Sequence, residues 1–172
     1  NTDCMGALKA IEKHVDLKNK NVLIIGAGGT AKAIGQGVYE KGAKITVTYN
    51  RDKEKGIQLG RELEAKVVSI QEIDNEEIDV LINCSPVGMS PNLEETPISS
   101  RCLRKGMVVF DSVYNPLETR LIREAKVAGC VTISGVELFV NQAVGQFELW
   151  TRQKAPAELM RDVVLQGLDS KI

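Results

Sequence analysis

Aromatic residues are scarce in this 172-residue sequence: one Trp, three Tyr and three Phe, 4% of the chain. That is too little flat surface for a platform on which nucleic-acid bases stack. An excess of one charge is also missing, with 22 Lys+Arg against 23 Asp+Glu and a formal net charge of -1. Neither nucleic acid nor an anionic membrane is called for as a partner. The single histidine, His14, and four widely separated cysteines, Cys4, Cys84, Cys102 and Cys130, leave no CxxC-type pair, which argues against a Cys/His zinc site. Such thiols are expected to stay reduced and mostly to fill core, as in a cytoplasmic protein. No apolar run approaches the roughly 20 residues that span a bilayer. The chain opens Asn1-Thr2-Asp3, with no Met and no basic-then-apolar leader. The expectation is therefore no signal peptide, and a start that reads as cut from something longer. With 43% hydrophobic and 26% charged residues, the composition is that of an ordinary globular domain and excludes a disordered or collagen-like chain.

What is present is an alternation. Met5, Leu8, Ile11 and Val15 recur at helical spacing over residues 4–15. Asn21–Ile25 is a short continuous apolar run, the mark of a strand buried on both faces. A helix from about Thr30 to Glu40 follows, closed by Lys41-Gly42, and then the β-branched run Lys44–Tyr49. Further strands are expected at Lys66–Ile70, Asp79–Cys84, Met107–Ser112 and Cys130–Ser134, with helices near 52–64 and Leu117–Ala128. The tail is wholly helical, from Glu137 to about Gln153 and from Pro156 to about Leu168. This pattern predicts an α/β chain: a Rossmann-like, doubly wound parallel sheet of about six strands with flanking N- and C-terminal helices. The helices at the two ends stand outside the repeating unit and need a surface to pack on.

Gly26-Ala27-Gly28-Gly29-Thr30-Ala31 stands directly after the first strand and opens a helix, the context that gives a GxGxxA run meaning. The first glycine permits a tight turn and the second lets a pyrophosphate approach the backbone. Ala31 allows close helix–strand packing, and the helix N-terminus offers free N–H groups to an anion. An acidic residue that would read a ribose 2′-hydroxyl is missing at the end of the second strand, where Asn50 stands. Arg51 and Lys55 follow it and suit a 2′-phosphate, so NADP is expected rather than NAD. The alternative for these residues is a solvated charge run at a helix start, and Asp52 could serve a ribose hydroxyl.

Several separate segments resemble the shikimate dehydrogenases. Asn1-Thr2-Asp3 is similar to the family's NTD motif, Gly26–Ala31 to its GAGGxA loop, and Asn50-Arg51 to its NR pair. Asn83-Cys84-Ser85-Pro86-Val87-Gly88-Met89 resembles NxTxxGM, with Ser in place of Thr and Pro after it. Asp111-Ser112-Val113-Tyr114-Asn115-Pro116 resembles DxxYNP. Gly135–Ala143, continuing to Phe147 and Trp150, is similar to GxxMLxxQAxxQFxxW. The matches run in order from residue 1 to about 165, and their wording also looks like the dehydrogenase half of the enzymes fused to dehydroquinate dehydratase.

The resemblance implies reversible, NADP-dependent reduction of 3-dehydroshikimate to shikimate. Asp3 takes the place of the catalytic, substrate-facing aspartate; read alone, it is a helix N-cap. The lysine that partners this aspartate lies upstream in the family, in a substrate-binding domain outside these residues. An isolated chain is therefore expected to bind NADP and turn over little substrate. Gln142 and Tyr114 are implied to contact substrate, although a helix-face glutamine and a half-buried core tyrosine are the plainer readings. Ser85, Pro86, Val87, Ser112 and Gly135 are implied to line the nicotinamide side. Trp150 reads as core, and His14 as a surface residue without a role. The implied organisation is a linking helix at 1–17, an NADP-binding domain at 18–136, and C-terminal helices at 137–172 that pack toward the substrate domain. A quinate/shikimate dehydrogenase, often NAD-dependent, and a non-catalytic cofactor-binding module remain as alternatives.

Overall fold

The computed structural model describes residues 2–49 and 52–169, without the side chains of Asp3, Asp74, Asn75 and Asp169. Helix α1 spans Thr2–Ile11, and β1 spans Asn21–Ile25. Then follow α2 (Gly29–Glu40), β2 (Lys44–Tyr49), α3 (Lys53–Glu62), β3 (Lys66–Ser69) and β4 (Val80–Asn83). The chain continues through β5 (Val108–Asp111), α4 (Arg120–Val127), β6 (Val131–Ile133), α5 (Gly135–Thr151) and α6 (Ala157–Asp169). The six strands form one parallel sheet in the order β3-β2-β1-β4-β5-β6. Strand order reverses between β1 and β4. In open α/β sheets the crevice outside the strand ends at such a point is where ligands bind.

Strand alternation explains why the sheet is covered on both sides. Val22, Ile24, Val80, Ile82, Val108 and Phe110 face one core, shared with α1, α2 and Leu59 and Leu63 around the end of α3. Leu23, Ile25, Leu81 and Val109 face the other, shared with Leu121, Ile122 and Ala125 of α4. The terminal helices find their surface within the chain. Ala7, Ala10 and Ile11 of α1 are buried in the first core, and α1 lies along α2 and α5. Helix α6 covers Val136, Val140 and Val144 of α5 with Met160, Val164, Leu165 and Leu168.

Several boundaries differ from the sequence pattern, for local reasons. Helix α1 begins at Thr2, which places Asp3 in its first turn rather than at the N-cap. Helix α4 starts at Arg120 because the Thr119 hydroxyl accepts the Ile122 N–H and caps it. Between β3 and β4 the chain forms a 3-10 segment, Ile70–Asn75, opened by a capping box in which the Glu72 carboxylate accepts the Ser69 N–H at 3.0 Å. A second 3-10 turn covers Ser100–Cys102.

No disulfide joins the four cysteines among the described residues; Cys102 is buried, while Cys4, Cys84 and Cys130 are half-buried. Trp150 departs furthest from expectation. It is 77% exposed instead of in the core. It lies on the α5 face of Gln142 and Gln146, one turn beyond the Thr2–Gln146 contact between α1 and α5.

Candidate functional site

The loop from β1 to α2 shows which of its glycines the fold itself needs. Gly26 has φ +104°, and its N–H donates to the Thr48 carbonyl at 2.9 Å. A side chain there would press on the Cys84 and Ser85 backbone at 3.3–3.4 Å. Gly28 and Gly29 are different. Gly28 has φ −85° and ψ −173°, which any residue adopts, and a Cβ at either position would meet no atom within 4 Å. Neither backbone strain nor internal packing accounts for them. What they preserve is open space in front of α2, whose N-cap carries no side-chain hydrogen bond and whose first turn holds no acidic residue. The N–H groups of that turn face a gap of the kind an anion fills. Ala31, fully buried, packs α2 onto the sheet as the GxGxxA spacing implies.

Beside this loop lies a cleft of about 360 Å³ lined by Ala27, Gly28, Gly29, Lys32, Lys55, Gln58, Leu59 and Glu62. Lys55 lines it and is ion-paired to Asp52 at 3.1 Å. Asp52 caps α3 by accepting the Lys55 N–H, and this bond, with Lys55's charge, holds its carboxyl below the usual range. Asp52 thus serves as the cap of the α3 start. Lys32 crosses to Glu62 at 2.7 Å and lowers that carboxyl likewise. Asn50 and Arg51 lie outside the described residues.

A second, smaller cleft of about 170 Å³ is walled by Thr30, Ser112, Tyr114, Gly135, Leu138, Phe139 and Gln142. Five of these, from three separate segments of the chain, are residues the sequence singles out. Tyr114 is 43% exposed and stacks on Phe139, with ring centroids 5.0 Å apart and planes at 30°. It forms the cleft's wall rather than a piece of core. Gly135 is glycine for a packing reason: a Cβ would lie 2.4 Å from the Val113 backbone and 2.6 Å from the Ser112 carbonyl oxygen. Helix α1 brings its N-terminal half to the same end of the molecule. The Gln146 amide donates to the Thr2 hydroxyl at 3.5 Å, and the Asn141 amide donates to the Gly6 carbonyl at 3.2 Å. Asp3, between Thr2 and Gly6, is therefore on the helix that flanks the Gln142 turn.

Ser85, Pro86 and Val87 occupy the loop after β4, where the Ser85 N–H and hydroxyl both donate to Asn83. Leu138 and Phe139 are cleft residues that sequence reasoning passed over. Their signal was available, since Phe139 lies one turn from both Gly135 and Gln142 on α5.

The fold order, the open glycine loop and the clefts at the strand ends define a Rossmann-type α/β domain built to receive an anionic ligand. The family model "Shikimate / quinate 5-dehydrogenase" matches residues 8–131, and the "Shikimate 5'-dehydrogenase C-terminal domain" matches residues 135–165. The chain belongs to the shikimate/quinate 5-dehydrogenase family. It is 43% identical over 176 residues to the bifunctional 3-dehydroquinate dehydratase/shikimate dehydrogenase of Arabidopsis thaliana, covering 92% of this chain and 29% of that protein. It is 41% identical over 181 residues to the shikimate dehydrogenase (NADP(+)) of Methanosarcina acetivorans, covering 99% of this chain and 64% of that protein. A crystal structure of a shikimate dehydrogenase in complex with NADP+ superposes with a TM-score of 0.90 at 33% identity, over 98% of this chain and 62% of that one. The chain thus spans less than two thirds of the length of these relatives.

Proposed function

We propose that this chain is the NADP-binding part of a shikimate dehydrogenase, an enzyme that reversibly reduces 3-dehydroshikimate to shikimate on the route to aromatic amino acids. One observation carries the reading. Thr30, Ser112, Tyr114, Gly135 and Gln142, from three separate segments, wall one cleft beside a glycine loop whose Gly28 and Gly29 hold space that the fold does not need. The residues fit the cofactor. Gly26, Ala27, Gly28, Gly29, Thr30 and Ala31 would present the α2 N-terminus to the pyrophosphate, and Asn50, Arg51 and Lys55 would take the 2′-phosphate. Ser85, Pro86, Val87, Ser112 and Gly135 would border the nicotinamide. When bound, the nicotinamide supplies the hydride for the carbonyl carbon.

The chain's own residues bind, orient and exclude water. Tyr114, held flat by Phe139, and Gln142 would fix the substrate against the cleft wall. Asp3, on the helix flanking Gln142, would handle the proton at the substrate oxygen, paired with a lysine from the N-terminal substrate-binding domain of the complete protein. Leu149, Trp150, Leu159 and Val163 are between 60% and 77% exposed. They suit residues 137–172 to packing toward that domain, with residues 1–17 as the link and 18–136 as the cofactor domain. No helix among the described residues is long and apolar enough to cross a membrane. With no disulfide joining the four cysteines, a cytoplasmic setting belongs to the same proposal.

Titration of this chain with NADP and NAD is the test. NADP is expected to bind more tightly, and Gly28→Ala to weaken it about tenfold or more while leaving the melting temperature unchanged, because the new Cβ fills only ligand space. Arg51→Ala should weaken NADP far more than NAD. Failure of the wild type to bind NADP, or an unaffected Gly28→Ala, defeats the reading. Shikimate and quinate turnover by the complete protein then separates the two substrates that the family covers.

A further inference from the structure

Asn83 and Asp111 end the neighbouring strands β4 and β5, stand opposite each other in register, and are both fully buried. Neither side chain lines either of the two clefts described above. Each follows three apolar residues, Val80–Ile82 and Val108–Phe110, so continuing the core would call for another aliphatic side chain. A buried carboxyl and amide are tolerable only if their bonding capacity is used, and here it is used almost entirely between two loops. The Asn83 amide donates to Asp111 Oδ1 at 2.9 Å, and the Val113 N–H donates to the same oxygen at 3.0 Å. The Thr119 hydroxyl donates to Asp111 Oδ2 at 2.6 Å while accepting the Ile122 N–H as the cap of α4. On the other side, Asn83 Oδ1 accepts the Ser85 N–H at 3.0 Å and the Ser85 hydroxyl at 2.7 Å, and Ser85 Oγ accepts the Val87 N–H at 3.4 Å. A backbone bond from the Ser112 N–H to the Asn83 carbonyl, 2.9 Å, runs alongside.

We infer that Asn83, Asp111 and Thr119 are positioning residues: their relay ties the loop after β4 to the loop after β5 and so preforms the nicotinamide edge of the site. The inference rests on the cofactor reading above. It goes beyond that reading because none of the three touches the cofactor there; they act through Ser85, Val87 and Ser112. The relay also sets the distance to the other half of the site, since Gly26 packs directly on the Cys84–Ser85 backbone. Burial pushes the Asp111 carboxyl above its ordinary range, against the pull of its three donors.

The test compares two probes on this chain, NADPH and 2′-phospho-ADP-ribose, which carries the same phosphates and adenosine but no nicotinamide. Wild type is expected to bind NADPH more tightly. Thr119→Val, at a residue that lines neither cleft, should weaken NADPH about tenfold and the fragment less than about twofold, and Thr119→Ser should restore the wild-type ratio. Asn83→Ala should show the same split. If it does not fold, Ser85→Ala, which removes the hydroxyl bond to Asn83 and the one accepted from the Val87 N–H, carries the test with a smaller loss of the same kind. Equal losses for both probes, no loss for either, failure of the serine to rescue, or equal wild-type affinity for the two probes overturns the inference. A wild type that binds neither probe overturns the cofactor reading instead.

Discussion

On the β1–α2 side of the site the wall is bare backbone: Gly28 and Gly29 face open space, and the α2 N-cap has no side-chain partner. On the β4–β5 side the wall is backed by bonded polar side chains, the buried Thr119, Asp111 and Asn83 and the half-buried Ser85. A side that must accept pyrophosphate needs exposed N–H groups and room. A side that must hold a flat ring at a fixed depth needs its loops immobilised, and loops without regular hydrogen bonding get this only from side chains. The first side is thus specified by the absence of atoms, the second by a closed set of bonds.

The sharpest way to break that contrast uses the glycines, because the two sides predict opposite outcomes for the same substitution. Gly135→Ala puts a Cβ 2.4 Å from the Val113 backbone, on the side where loops are locked. The backbone cannot yield cheaply, so the variant should lose about 3 kcal/mol, roughly 10 °C in Tm. Gly28→Ala, on the open side, should unfold at the wild-type temperature. Thermal unfolding of both by circular dichroism decides it. Equal melting temperatures for Gly135→Ala and wild type would mean that the β5 exit loop moves freely.

A smaller effect comes from the buried hydroxyls. Thr48, fully buried at the end of β2 on the glycine side, has an Oγ1 with no hydrogen-bond partner among the described residues. Thr119, equally buried, uses its hydroxyl twice. Thr48→Val should therefore stabilise the chain by about 1 kcal/mol, since it removes an unmet polar group at constant shape, whereas Thr119→Val should destabilise it by at least as much. Urea denaturation measures both. Destabilisation by Thr48→Val would show that its hydroxyl has work on the glycine side after all.

The same asymmetry governs what could be read from the sequence. The glycine side was legible: an apolar strand, GxGxxA and a helix form one contiguous signal, and the loop's geometry follows from it. The strands were legible as well, because a sheet covered on both faces writes continuous apolar runs such as Val22–Ile25. The β4–β5 side was not. Asn83 and Asp111 stood inside recognised segments, but nothing local reveals that they face each other; that needs the strand register, which sets residues 28 apart side by side. Phe139 escaped for a similar reason, as its role depends on Tyr114 arriving from the β5 loop. Trp150 was misread because helical spacing says which face a residue shares, not whether that face is covered at its position. The 3-10 segment after β3 carried a readable sign, Ser69-x-x-Glu72, without the apolar periodicity that usually draws attention to a helix start.

The smallest effect tests the charge at the centre of the locked side. Burial is the largest influence on Asp111 and raises its pKa; the bonds from Thr119, Val113 and Asn83 only partly oppose it. A carboxyl with a native pKa above its unfolded value holds more protons in the folded state over the interval between the two. Its contribution to stability is complete below the unfolded value, ordinarily 3.8, and is lost as pH rises through the native one. Asp111→Asn keeps the shape and cannot ionise. The stability of wild type relative to this variant should therefore decline as pH climbs from about 4 toward neutrality, measured by urea denaturation at a series of pH values. The opposite slope would mean that the three donors outweigh desolvation and that the relay is built around a carboxylate. In that case Thr119→Val should cost more at neutral pH than in acid, because it would strip a charge-assisted bond from a buried anion.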